Sequence, residues 1–219
     1  MSDKPFKTAV RGRRVLNVLP SPDTDRDWAA DTAVEAGTLD AAAAVPNAKD
    51  LRESWWEVGD QKATGSCVGW ASADSVLRWH FVKAGRIKQA DRLSVRFAWM
   101  ASKEVDSYIE RPTTFVELAG TSIKSALDVA RKYGAVHESV LKFSGGSLFP
   151  GDVGAFYTLA SELRIRSYFN LTLGRTGNNV KTWRRWIAEV GPILTRLNVD
   201  DNWMNAKKTA GKLDVYDED

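Results

Sequence analysis

The sequence predicts an α+β fold with a mainly helical first half and a β-rich second half. Two patterns carry that expectation. In the first half, apolar side chains recur at helical spacing in three stretches: Trp70, Ala73, Leu77, Phe81 and Ala84; Phe97, Ala98, Met100 and Ala101; Ile123, Ala126, Leu127 and Ala130. In the second half, Leu163-Arg-Ile165-Arg-Ser-Tyr168-Phe169 and Pro192-Ile193-Leu-Thr195-Arg-Leu197-Asn-Val199 alternate with the period of a strand. The expected organisation is an N-terminal arm and linker over 1–49, a helical half over 50–145 and a β-rich half over 146–219.

Composition narrows the function classes. A chain of 219 residues with 43% apolar content has enough hydrocarbon for one domain with a core, or for two halves meeting at a cleft. A formal charge of +3 is too small and too interspersed to imply nucleic acid, and the basic Arg11-Gly-Arg13-Arg14 reads as a solvated cationic terminus. No apolar run approaches the ~20 residues of a membrane span, and the N-terminus lacks the apolar core of a signal peptide, so a soluble cytoplasmic protein is expected. A single cysteine excludes an intrachain disulfide and a cysteine-based zinc site; with only two histidines, no metal and no cofactor are expected. Nine tryptophans are scattered along the chain, and core and cleft packing accounts for them.

Along the chain, residues 1–19 form a polar, basic arm with one apolar patch (Val15, Leu16, Val18, Leu19) able to serve as an edge strand. Pro20-Ser-Pro-Asp23-Thr-Asp25-Arg26-Asp27 is turn chemistry, and the Ala-rich sequence from Trp28 to Pro46 suggests a short helix or a linker. Asp50-Leu51-Arg52 and Trp55-Trp56-Glu57-Val58 make an extended aromatic approach to Gln61-Lys-Ala-Thr-Gly-Ser-Cys67. There a Gly-Ser turn places Cys67 on the first turn of the following helix, where unpaired N–H groups and the helix dipole favour a thiolate. Gln61, six positions earlier, is placed to donate a hydrogen bond to an oxyanion forming beside the sulfur. The competing reading of a lone cysteine is an inert core thiol. Ser94 caps the second helix, a polar loop fills 104–119, and Thr121 or Ser122 caps the third helix, which Gly134 ends. His137 lies in the next loop, and a glycine-rich stretch from Ser144 to Gly154 joins the halves. Between the two alternating stretches, Asn179 to Gly191 reads as an amphipathic helix with an Asn cap and a Gly stop.

Gln61 followed by Gly65-Ser66-Cys67-Val-Gly-Trp70-Ala71 resembles the signature of the papain-like cysteine peptidases, in the variant of their disulfide-poor bacterial branch. The resemblance covers roughly residues 20–219: Asp25-Arg26-Asp27 is similar to the family's lead-in, Asp50-Leu51-Arg52 to the opening of its mature domain, and Gly191-Pro192 to a turn in its second half. It implies a cleft between the two halves and peptide-bond hydrolysis through a thioester, with Cys67 as nucleophile and Gln61 as oxyanion donor. It places Gly120, Thr121 and Ile123 against the substrate's P2 residue, with Thr121 where the family has a second glycine, and Arg196 on a wall of the P2 pocket. No long helical propeptide precedes the cysteine, so latency must come from something shorter. The family's catalytic histidine lies ~130–150 residues beyond the cysteine, a window that runs from near residue 197 past Asp219. His80, 13 residues along the Cys67 helix, lies about 20 Å from the sulfur at 1.5 Å per residue. The expectation is therefore a fragment lacking its base, inactive alone, with a missing C-terminal segment or another chain supplying the histidine. The partner is a peptide or protein substrate. A non-catalytic binding protein with the same cleft and an acyl transferase of the same thiol chemistry are the alternatives.

Overall fold

The computed structural model describes residues 9–11, 14–105, 119–145, 149–175 and 179–215. Most of the expected 104–119 loop, part of the basic arm and the 216–219 end lie outside the described residues. The helix that opens at Cys67 runs without a break through α2 (Cys67–Gly69), a π-helical section (Trp70–Leu77) and α3 (Arg78–Lys83). Ahead of it, α1 (Ala30–Glu35) is the short helix of the Ala-rich stretch, and after it come α4 (Val95–Val105) and α5 (Ile123–Lys132). The caps are local chemistry. Ser94 Oγ accepts the Phe97 amide at 3.0 Å, Ser122 Oγ accepts the Ser125 amide at 3.1 Å, and Gly134 leaves α5 at φ 107°, a conformation side chains rarely adopt.

Apolar stripes from these helices meet in one core. Ala73, Leu77 and Phe81 of the Cys67 helix pack with Leu93, Ala98 of α4, Ala130 of α5 and Leu163. A second cluster joins Phe97 and Val129 to Val136 and Ala160. Gly69 lets α2 approach α4 closely, since a Cβ there would lie 2.9 Å from the Val95 carbonyl oxygen. The tryptophans add directed ties: Trp79 Nε1 donates to the Leu51 carbonyl at 3.3 Å and Trp56 Nε1 to that of Ser75 at 3.1 Å. The aromatic approach segment is thereby fastened along the Cys67 helix.

The β-rich second half is not present. Among the described residues the strands are β1 (Ala9–Arg11) and β2 (Arg14–Leu16), an antiparallel pair in the arm. Beyond residue 146 the chain instead forms α6 (Val153–Ser161), α7 (Val180–Glu189) and α8 (Asp201–Asn205). The physical reason is legible in the burial pattern. Leu163 is buried and Ile165 half-buried between exposed neighbours, so that stretch is extended with alternate side chains turned in. It lies against α5, where the Ile165 amide donates to the Ala130 carbonyl at 3.2 Å. Alternation reports an extended backbone, and a sheet needs in addition a neighbouring strand to take the ladder hydrogen bonds. Residues 191–200 are irregular, with Leu197 56% exposed, so no buried face organises them. α7 does end at a left-handed glycine, Gly191 at φ 143°, which packs against Trp79 and His80 at the far end of the Cys67 helix.

Candidate active site

The turn before Cys67 is closed by its own side chains. Thr64 Oγ1 donates to the Gln61 carbonyl at 2.7 Å and lies 2.6 Å from Ser66 Oγ. Gln61 Nε2 donates to the Thr64 carbonyl at 2.9 Å. One N–H of the Gln61 carboxamide is thus engaged within the turn it belongs to, and the amide group carries a second. The Ser66 carbonyl accepts the first helical bond, from the Trp70 amide at 3.0 Å, which sets Cys67 at the helix start.

Cys67 is half-buried, and its electrostatics differ from the sequence-based expectation. Burial pushes its thiol up from the ordinary range, while backbone hydrogen bonds at Val68, Asn17 and Cys67 itself pull it back down and are the smaller effect. The helix start is present, but only three residues of α-geometry precede the π-helical section, and the covering of the sulfur outweighs the amides beneath it. The resting form is therefore the neutral thiol. Since the thiolate is the nucleophile, alkylation of Cys67 by iodoacetamide is expected to rise with pH through and beyond the range of a free cysteine. A rate that levels off below neutrality would contradict this.

One residue of the arm faces the sulfur. The Cys67 thiol faces Asn17 Oδ1 at 4.0 Å. Asn17 is 8% exposed and lies directly over Gly120, where an added Cβ would be 1.9 Å from the Asn17 carbonyl oxygen. Two residues on, the Leu19 amide donates to the Thr121 carbonyl at 3.1 Å, and Leu19 pairs with Ser122 in parallel. Of the expected substrate contacts Gly120, Thr121 and Ile123, the Thr121 carbonyl is therefore already paired with a segment of the same chain. Thr121 is fully buried and Ile123, the first residue of α5, half-buried. The structure brings Cys67, Gly120 and Thr121 to one segment, 17–19. Sequence reasoning missed Asn17 because no local pattern marks it: its partner Cys67 is 50 residues away.

Arg196 is exposed in the irregular 191–200 stretch. His137 pairs through its backbone with Leu93 ahead of α4. His80 lies beside Gly191, and burial pushes its imidazole down, towards the neutral form. A cavity of about 120 Å³ is lined by Arg26, Asp27, Trp28, Lys124, Arg131 and Tyr168. Another, of about 220 Å³, lies by Trp79, Lys83 and the end of α7. Cys67 lines neither.

One further group escaped the sequence reading. Asp74, one turn beyond Trp70, is 3% exposed. It lies 3.1 Å from Arg92 Nε, pairs also with Arg92 Nη2, and is 3.6 Å from Arg78 Nη1. The i,i+4 spacing of Asp74 and Arg78 was readable; their burial was not.

Neither a family model nor a curated protein matches the chain. Among solved structures it is similar to xylellain, a cysteine protease from Xylella fastidiosa, with a TM-score of 0.60 and 18% sequence identity. The match covers 83% of this chain and 66% of that one. The likeness supports a papain-like fold, and this chain spans about two thirds of the length of the protein it resembles. No helix among the described residues is long and apolar enough to cross a membrane.

Proposed function

We propose that the chain carries the nucleophile-bearing part of a papain-like cysteine peptidase of the bacterial branch. Cys67 is the nucleophile and Gln61 the oxyanion donor, through the amide N–H that the Thr64 carbonyl does not take. Gly120, Thr121 and Ile123 contact the peptide, and Arg196 borders the P2 side chain. The reading rests above all on one observation: the thiol at the start of the buried helix faces the same extended segment that pairs with the backbone of 120–122. A site that holds extended peptide beside a sulfur is what thioester chemistry on peptides requires. The fold shared with a cysteine protease agrees with it.

Amide hydrolysis also needs a base that protonates the leaving amine, and neither His80 nor His137 has a place in this arrangement. On this reading the chain alone cleaves no amide bond. An activated ester separates the two requirements, because nitrophenolate leaves without being protonated. A p-nitrophenyl peptide ester is expected to transfer its acyl group to Cys67 sulfur, releasing about one equivalent of nitrophenol in a burst followed by slow turnover. Mass spectrometry should locate the thioester on Cys67, and Cys67→Ala should abolish the burst. Absence of the thioester would remove the nucleophile assignment, and Cys67-dependent amide cleavage would remove the claim of a missing base. A non-catalytic peptide-binding protein is the second reading, favoured by the upward push on the thiol.

A further inference from the structure

The arm that faces Cys67 does not end at Leu19. Ser21 Oγ accepts the Lys124 amide at 3.1 Å. The Asp27 carboxylate is held on both oxygens, by Lys124 Nζ at 2.7 Å and by Asn170 Nδ2 at 3.2 Å. The Trp28 carbonyl accepts the Asn170 amide at 2.8 Å. From 17 to 28 the chain is thus a strap fixed at its first end by backbone pairing over Cys67 and at its second by a charge. We propose that Lys124 is the latch of this strap, so that the Asp27–Lys124 pair sets how often the Cys67 face opens. The inference rests on the peptidase reading only in taking that face as the substrate face.

The partners are unequal in a way that makes the latch separable from the fold. The Asp27 side chain is 5% exposed, and Lys124 is its cation. Lys124 keeps Asp128 at 3.4 Å and the Tyr168 hydroxyl at 2.8 Å whether or not Asp27 is present. Tyr168 in turn donates to Asp128 at 2.7 Å. Removing Asp27 therefore leaves α5 with its charges paired and takes from the strap its only ion pair among the described contacts. Removing Lys124 leaves Asp27 as a carboxylate shut away from water, a state the strap leaves by opening. Both substitutions shift the same equilibrium from different sides.

The test uses the full chain, iodoacetamide as the probe of Cys67, and amide hydrogen exchange to separate local opening from unfolding. In Asp27→Ala and Lys124→Met, Cys67 is expected to be alkylated at least about tenfold faster, a factor well below the full cost of stranding a buried charge. The Leu19 amide, bonded to Thr121, should exchange faster in step, while the amides of Ala98 and Ala126 in the core helices keep their protection. Unchanged alkylation in both variants would overturn the proposal, as would a gain in reactivity accompanied by equal loss of protection at Ala98 and Ala126. Neither readout requires turnover. Faster alkylation with no thioester formed from the activated ester sinks the peptidase reading and leaves the strap; the reverse pair of results sinks the strap and leaves the reading.

Discussion

Asp74→Ala is expected to lower the free energy of unfolding by ~3–5 kcal/mol, the usual cost of leaving one member of a buried pair alone. Of its two cations, Arg92 has a side chain 40% exposed and can turn to water. Arg78 cannot, at 5%. Its guanidinium would keep the carbonyls of Trp55 at 3.1 Å and Gln89 at 2.8 Å and the ring of Trp55 at 5.5 Å. None of these carries a negative charge. Because Arg78 ties the aromatic approach segment to the Cys67 helix, the loss should first loosen the platform under the site. Urea denaturation measures it, and a change of a few tenths of a kcal/mol would show the Arg78 charge to be compensated elsewhere. The Asp50–Arg52 pair makes the useful contrast. At 2.6 Å it is shorter than the Asp74–Arg78 contact, but its side chains are 58% and 89% exposed, so solvent screens it and its removal should pass almost unnoticed.

Gly134→Ala should be nearly as damaging, at roughly 3 kcal/mol, combining backbone strain with a clash. At φ +107° a side chain is strained whatever the space, and here a Cβ would lie 1.8 Å from the Ala160 carbonyl oxygen. That oxygen cannot retreat easily, since it accepts the amides of Ala135 at 3.2 Å and Leu163 at 3.1 Å. The variant is expected to undock α6 and lower the melting temperature by many degrees. A loss below ~1 kcal/mol would mean that α6 gives way at little cost.

These two sites mark the boundary of what the sequence discloses. Helices announced by local chemistry were readable: Ser94, Ser122 and Asn179 cap, and Gly134 and Gly191 stop, within a few residues of the apolar stripes they bound. α6 was not, because Val153-Gly-Ala-Phe-Tyr shows no clean stripe: Val153 is 71% and Tyr157 46% exposed while Phe156 packs on the core. The alternation of 163–169 holds in the burial only at Leu163 and Ile165, and it told nothing about whether a strand lay beside them. Of the site, the Cys67 helix start follows from the motif, and the pairing of 17–19 with Thr121 does not. Nor does the state of the sulfur, which is set first by burial, and long-range contacts such as that with Asn17 lie beyond a spacing argument confined to residues 61–84.

The account stands on Cys67 lying beside a groove that takes peptide backbone along 120–122. The most direct test compares two electrophiles at the same sulfur, a small one such as iodoacetamide and a peptidyl vinyl sulfone, each referred to its rate with free cysteine. The account predicts that the peptidyl reagent labels Cys67 with a relative rate well above that of iodoacetamide, and that the advantage grows in Asp27→Ala, where the strap competes less for the groove. If the peptidyl reagent shows no advantage in either protein, the sulfur is a covered core thiol with no peptide site beside it.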